Sequence, residues 1–237
     1  MEPQSYWFHL DDHVRWLGHL ESEGFCVVKG AAKAEAGIAL PLFWDFLCAQ
    51  GAISRGDPAT WLRANGWPGG GRGFIVESGA GGCNSPAAWA LRGAPGVKAA
   101  FARIWDTQEL LVSFDTFIAW RPWMGVHAPS EFHPVVEGLH LDQNPFSKRG
   151  RQCVQGMIPL LPVTAVGGLA VIPRSHIQAA QDILAAQHPR WAVGGDDWCI
   201  LSHSSARRLQ EDVAVPKLLV LVRGSLEFCH VCLYLYQ

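Results

Sequence analysis

The sequence predicts an α+β fold in which helices come first and short strands follow, closing into a β-sandwich or barrel toward the C-terminus. Three observations carry that expectation. Apolar residues recur at helical spacing in the first half, at Val14, Leu17 and Leu20 and again at Val97, Ala100, Phe101 and Ile104. From Leu139 onward, short apolar runs alternate with turn residues. No internal repeat and no linker divides the 237 residues, so a single domain over 1–237 is expected.

The elements follow in order. Asp11 and Asp12 offer an N-cap and favourable charge to a first helix, which Gly24 ends. Phe25 to Val28 reads as a short buried strand closed by Gly30. A second helix is expected to begin at Pro41, a good first-turn residue, and to carry Leu42, Phe43, Phe46 and Leu47. The stretch from Gly51 to Gly82 is rich in Gly, Trp and Pro. Its Trp67-Pro68-Gly69-Gly70-Gly71-Arg72-Gly73 segment lacks the spacings that aim backbone N–H groups at phosphate, so it reads as a surface loop. A third helix runs from Pro95 through Trp105, and Leu110 to Trp120 has strand character. Further strands are expected at Leu139–Leu141, Cys153–Leu161, Leu169–Ile172, Leu218–Val222 and Leu226–Tyr236, with a helix over Ile177–Ala186 between them.

Composition narrows the function classes. Apolar residues make up 49% and charged residues 17%, which describes a chain able to bury a core. Net charge is −2 and the one basic cluster, Lys148, Arg149 and Arg151, is short, so nucleic acid is not an expected partner. That cluster reads as a solvated loop before it reads as a rim for an anionic substrate. Seven cysteines, an odd number without framework spacing, suit reduced thiols in a cytoplasmic protein. Cys229 and Cys232 form a lone CxxC, read as ordinary strand residues. The polar N-terminus is unlike a secretory signal and no apolar run reaches transmembrane length, so no membrane association is expected. GxSxG and HExxH are both missing, which disfavours the corresponding hydrolases. Trp120 and Trp123 flank Arg121-Pro122; core packing is the simpler role for most of the eleven tryptophans.

The informative triplet is His140-Leu141-Asp142. On a strand, positions i and i+2 share a face, so an imidazole and a carboxylate converge. These are two members of a two-His-one-carboxylate facial triad, whose open positions let iron(II) take a co-substrate and oxygen. The triplet stands in Gly138-Leu139-His140-Leu141-Asp142-Gln143-Asn144-Pro145. Gln152-Cys153-Val154-Gln155-Gly156-Met157-Ile158-Pro159-Leu160 follows, and then Gly167-Gly168-Leu169-Ala170-Val171-Ile172-Pro173-Arg174-Ser175-His176.

This succession resembles the phytanoyl-CoA dioxygenase-like family of Fe(II)/2-oxoglutarate-dependent oxygenases. Trp89-Ala90-Leu91-Arg92 and Leu110 to Asp115 are similar to an uncharacterised subgroup, so the likeness extends from the first helix to about Val222. The resemblance implies a double-stranded β-helix, or jelly-roll, core with N-terminal helices packed against it. It implies iron ligation by His140 and Asp142, and a place for Gln155 beside 2-oxoglutarate or as a hydrogen-bonded strand residue. It further implies hydroxylation of an unidentified small molecule with molecular oxygen. His176 reads as a turn cap, and Arg174 stands where many relatives have glycine.

The resemblance stops after Gly224. There, relatives carry a distal histidine ligand and, further on, an arginine for 2-oxoglutarate. Alignment on the glycine puts Leu235 at the ligand position, and no arginine follows Arg223. His230 is the one histidine of this segment and the reserve third ligand. It lies five residues early, about 16 Å along an extended strand, and an odd shift also swaps faces. A replaced or truncated native ending is the preferred explanation. Two functions therefore stay open: an active dioxygenase, or a catalytically impaired or inactive binding relative.

Overall fold

A computed structural model describes residues 6–75, 81–113, 116–135, 138–163, 168–188, 197–213, 217–219, 226–229 and 235–236. Its contacts divide the chain into two compact units, one of residues 1–30 with 137–237 and the other of residues 31–136.

The first unit carries all the strands that the described residues form. Strand β1 (Trp7–His9) precedes helix α1 (His13–Glu23) and β2 (Phe25–Lys29). After the second unit come β3 (His140–Leu141), β4 (Gln155–Met157), β5 (Leu169–Val171), α5 (Gln178–Gln187), β6 (Cys199–Ile200), α6 (His203–Asp212), β7 (Lys217–Leu219), β8 (Leu226–Cys229) and β9 (Leu235–Tyr236). They assemble into three small sheets, ordered β1-β2-β8-β4, β3-β6 and β7-β5-β9. β1 and β2 run parallel, and the other pairings are antiparallel.

Two cores hold this unit together. Phe25 and Val27 of β2 pack with Tyr6 against Leu169 and Val171 of β5, which joins the four-stranded sheet to the three-stranded one. Leu139, Leu141, Cys199 and Leu201 pack beneath the β3-β6 pair against Ala180 and Leu184 of α5 and Leu209 of α6.

Helix α1 forms near its expected place with its buried face shifted, keeping Leu20 of the expected stripe and adding Trp16. Trp16 and Leu20 are fully buried whereas Val14 is exposed. Asp12 does occupy the N-cap position, yet its carboxylate takes Nη1–H of Arg15 at 2.9 Å instead of a backbone N–H. Gly24 ends the helix at φ +85°, and a Cβ there would fall 2.5 Å from Nδ1 of His176. Glycine lets the helix end close onto the 173–176 turn.

The second unit holds α2 (Lys33–Cys48), α3 (Pro86–Arg92) and α4 (Pro95–Trp105). Helix α4 has the expected bounds. Helix α2 starts eight residues before Pro41, which sits inside it. The alanines Ala34, Ala36 and Ala39 favour helix strongly enough to tolerate the hydrogen bond that proline removes.

The strand expected over Leu110–Trp120 is a correction. Among its described residues there is one bridge, Ile118 to Phe74, and Leu111 is fully exposed, so no sheet receives the apolar side chains. Arg121 is instead the centre of a buried group. Its guanidinium lies over the Trp67 and Phe132 rings, donates to the Trp61 carbonyl at 2.9 Å and pairs with Glu131 at 2.9 Å. Burial opposes ionisation of Glu131, but hydrogen bonds from the Arg63 N–H and the Arg121 guanidinium outweigh it and hold the carboxyl below its ordinary range.

Among the described residues, no helix is long and apolar enough to cross a membrane.

Candidate metal centre

The β3-β6 pair sorts its side chains by alternation. Leu141 lies opposite Cys199 and both are buried in the core, so His140 and its partner Ile200 occupy the other face. His140 is 4% exposed, held by its own strand and by the Trp198 indole, edge-on at 6.0 Å. Its Nδ1 stands 2.9 Å from the Gly138 carbonyl. A carbonyl can only accept, so that contact places the proton on Nδ1 and the lone pair on Nε2.

Nε2 faces Asp142, 3.7 Å from Oδ1. The other carboxylate oxygen, Oδ2, accepts from Nε2–H of Gln155 at 2.9 Å. The triplet and the β4 glutamine thus meet as one group. The two donor atoms are near enough that bonds of about 2.1 Å from each could reach one divalent ion. The hard and borderline donors also suit ferrous iron.

The loop after Asp142 is fixed from within. Gln143, 3% exposed, donates through Nε2 to the carbonyls of Lys148 at 2.7 Å and Gly150 at 2.8 Å, and its Oε1 accepts from the Gln152 N–H. Asn144, fully buried, takes the Phe146 N–H on Oδ1 at 2.9 Å. Its own N–H reaches Asp197, whose second oxygen pairs with Lys148. The Lys148 and Asn144 hydrogen bonds hold the Asp197 carboxyl below its ordinary range.

The remaining sequence candidates fall as follows. His230 lies outside the described residues. Strand β8 ends at Cys229, which stands opposite Gln155 in the register. Among the described residues, no group of three His, Cys, Asp or Glu side chains gathers as a metal cluster. His176 Nε2 is 2.8 Å from the Glu21 carbonyl, tying the turn to α1 as a structural residue. Arg174 adopts φ 61°, the left-handed conformation that glycine takes without strain. Two members of the basic cluster are engaged, Lys148 with Asp197 and Arg151 with Glu21. Nothing in the sequence singles out Trp198 and Ile200, because Trp198-Cys199-Ile200 is apolar throughout and only its burial alternates.

No family model matches the chain. In an alignment of 83 residues that covers 31% of the chain, it is 37% identical to Ava biosynthesis cluster protein O of Aspergillus versicolor; the match spans only 22% of that protein's length. Its fold is similar to that of a 2-oxoglutarate enzyme, the epimerase SnoN, crystallised in complex with Fe3+, alpha ketoglutarate and nogalamycin RO. The TM-score is 0.53 at 15% identity, covering 95% of this chain and 77% of SnoN. The protein is thus a mixed helix-and-strand chain whose fold matches that of a non-heme iron, 2-oxoglutarate-dependent enzyme.

Proposed function

We propose that this chain is an Fe(II)/2-oxoglutarate-dependent oxygenase of the phytanoyl-CoA dioxygenase-like type, with a jelly-roll core, that oxidises a C–H bond of a small molecule. The observation that carries the reading is the pairing of His140 Nε2 with Asp142 Oδ1 at 3.7 Å, with Nδ1 turned to a carbonyl and Oδ2 held by Gln155. Metal-binding histidines and carboxylates characteristically have their second atoms tied in this way. The fold shared with SnoN and the curated relative from a biosynthesis cluster support it.

In this reading His140 and Asp142 hold the iron, and His230 is the candidate for a third ligand. When bound, the metal and 2-oxoglutarate supply the oxidising chemistry. The chain's own residues do the positioning. Gly138 fixes the imidazole tautomer, Gln155 orients the carboxylate and would stand beside the co-substrate, and the Gln143–Asn144 loop fixes the backbone that follows Asp142.

A second reading, an inactive binding relative, is favoured by Leu235, which stands where alignment on Gly224 places the distal ligand. Anaerobic calorimetry with Fe(II) and 2-oxoglutarate separates the two. Micromolar coupled binding that His140→Ala and Asp142→Ala abolish supports the oxygenase; millimolar or unaltered binding leaves the second reading. Because the fold is shared with an epimerase, products are to be read for inversion of a carbon centre as well as for added oxygen.

A further inference from the structure

The face of β3-β6 that carries His140 also carries two exposed apolar side chains. Ile200 stands directly opposite His140 and is 49% exposed; Trp198, two residues earlier on the same face, is 43% exposed. The other face of the same two strands, Leu139, Leu141, Cys199 and Leu201, is buried in the core. The exposure of Trp198 and Ile200 is therefore a consequence of strand alternation, with the core already satisfied from beneath. An indole and an isoleucine left in water beside a histidine–carboxylate pair form a shelf, and burying them under a ligand releases the water that covers them.

The shelf is also held in place. Asp197, immediately before Trp198, accepts from the Asn144 N–H and from Lys148, both on the loop that follows Asp142. One loop thus carries a proposed metal ligand at its start and the anchors of the shelf further along. Charge selects the occupant. Asp142 and Asp197 place two carboxylates here, and Lys148 is paired with Asp197, so an anionic group next to the shelf meets repulsion.

We infer that Trp198 and Ile200 form the substrate-binding wall of the site, and that the substrate is a non-anionic molecule presenting a planar unsaturated ring. The inference rests on the proposed metal centre for the word substrate; the binding itself does not. Trp198 and Ile200 act as positioning and specificity residues, setting which carbon of the ring system lies next to His140 and Asp142.

The test uses the full chain with 2-naphthol as a neutral planar probe, 2-naphthoate as its anionic counterpart, and Mn(II) as a paramagnetic ion. The expected results are saturable 2-naphthol binding by NMR titration, binding at least tenfold weaker in Trp198→Ala and in Ile200→Ser, recovery in Trp198→Phe, and no change in Leu111→Ser, whose side chain is exposed in the other unit. Naphthoate is expected to bind more weakly than naphthol. Bound naphthol resonances are expected to broaden on adding Mn(II), an effect a merely structural role for Trp198 does not produce. Equal naphthol affinity in the wild type and in the two shelf variants overturns the inference, as does tighter binding of naphthoate. So does broadening by Mn(II) that persists unchanged in both variants. If Mn(II) does not bind the wild-type protein, the metal-centre reading fails; the dependence of naphthol affinity on Trp198 and Ile200 then still decides the shelf.

Discussion

Gln155 illustrates how a single neutral side chain acts on an adjacent charge. Its Nε2–H occupies Oδ2 of Asp142 and leaves Oδ1 toward His140. Removing such an outer partner typically lowers metal affinity about 10–100-fold. Gln155→Ala is therefore expected to weaken Fe(II) or Mn(II) binding by that factor, measured by calorimetry, while Asp142→Ala removes it; equal affinities in Gln155→Ala and wild type refute the orienting role. Arg174 poses a backbone question at the same scale. At φ 61° its Cβ is strained, and its guanidinium donates to the Val213 carbonyl at 2.6 Å. Arg174→Gly and Arg174→Ala both lose that bond, but only alanine keeps the strain. Urea unfolding is expected to find the glycine variant about 0.5–1 kcal/mol the more stable, after allowance for the greater freedom of unfolded glycine. A more stable alanine variant contradicts the strain.

Helices α5 and α6 meet through a small polar joint. Ser202 caps α6 by accepting the Ser205 N–H at 3.1 Å, and Ser205 Oγ lies 2.6 Å from Nε2 of His188, at the C-terminal end of α5. Despite the serine–histidine contact, Ser205 is fully buried and serves as a packing residue. Burial pushes the His188 imidazole below its ordinary pKa. Above about pH 6.5 both the folded and unfolded chains leave it neutral. As pH falls through that value the unfolded chain takes up the proton first, so stability drops until the folded pKa is passed. Urea midpoints at pH 7.5 and 5.5 are expected to differ less in His188→Gln than in wild type. An equal difference in both proteins removes His188 as a cause.

For the whole molecule, the consequence of the proposed site is thermodynamic linkage. A ligand present at a hundred times its Kd stabilises the folded state by about 2.7 kcal/mol, which for a chain of this size raises Tm by roughly 5–10 °C. Thermal unfolding of wild type with Fe(II) and 2-oxoglutarate under anaerobic conditions is expected to show that rise, and His140→Ala to show none. The two units give the measurement a control. Core and site lie together in residues 1–30 and 137–237, whereas the buried Arg121 with its Glu131 partner belongs to the unit of residues 31–136. A rise that persists in His140→Ala locates the binding elsewhere.

Much of this was already written in the order of residues. The spacing in His140-Leu141-Asp142 was enough to expect convergence, because alternation on a strand needs only local backbone geometry, and Pro95–Trp105 was legible because proline and the apolar period agree. Elements whose residues lack such local agreement were not legible. β1, β6 and α6 are short or weakly apolar and owe their form to partners distant in the chain, while Leu110–Trp120 has strand-like residues but no sheet to receive them. The sequence by itself determined the chemistry of the pair and the mixture of helices and short strands. Only the tertiary structure decided which oxygen of Asp142 faces His140, that Gln155 holds the other, and that Trp198 and Ile200 stand exposed beside them. Those facts depend on pairings between segments tens of residues apart, which long-range packing selects and local preference does not.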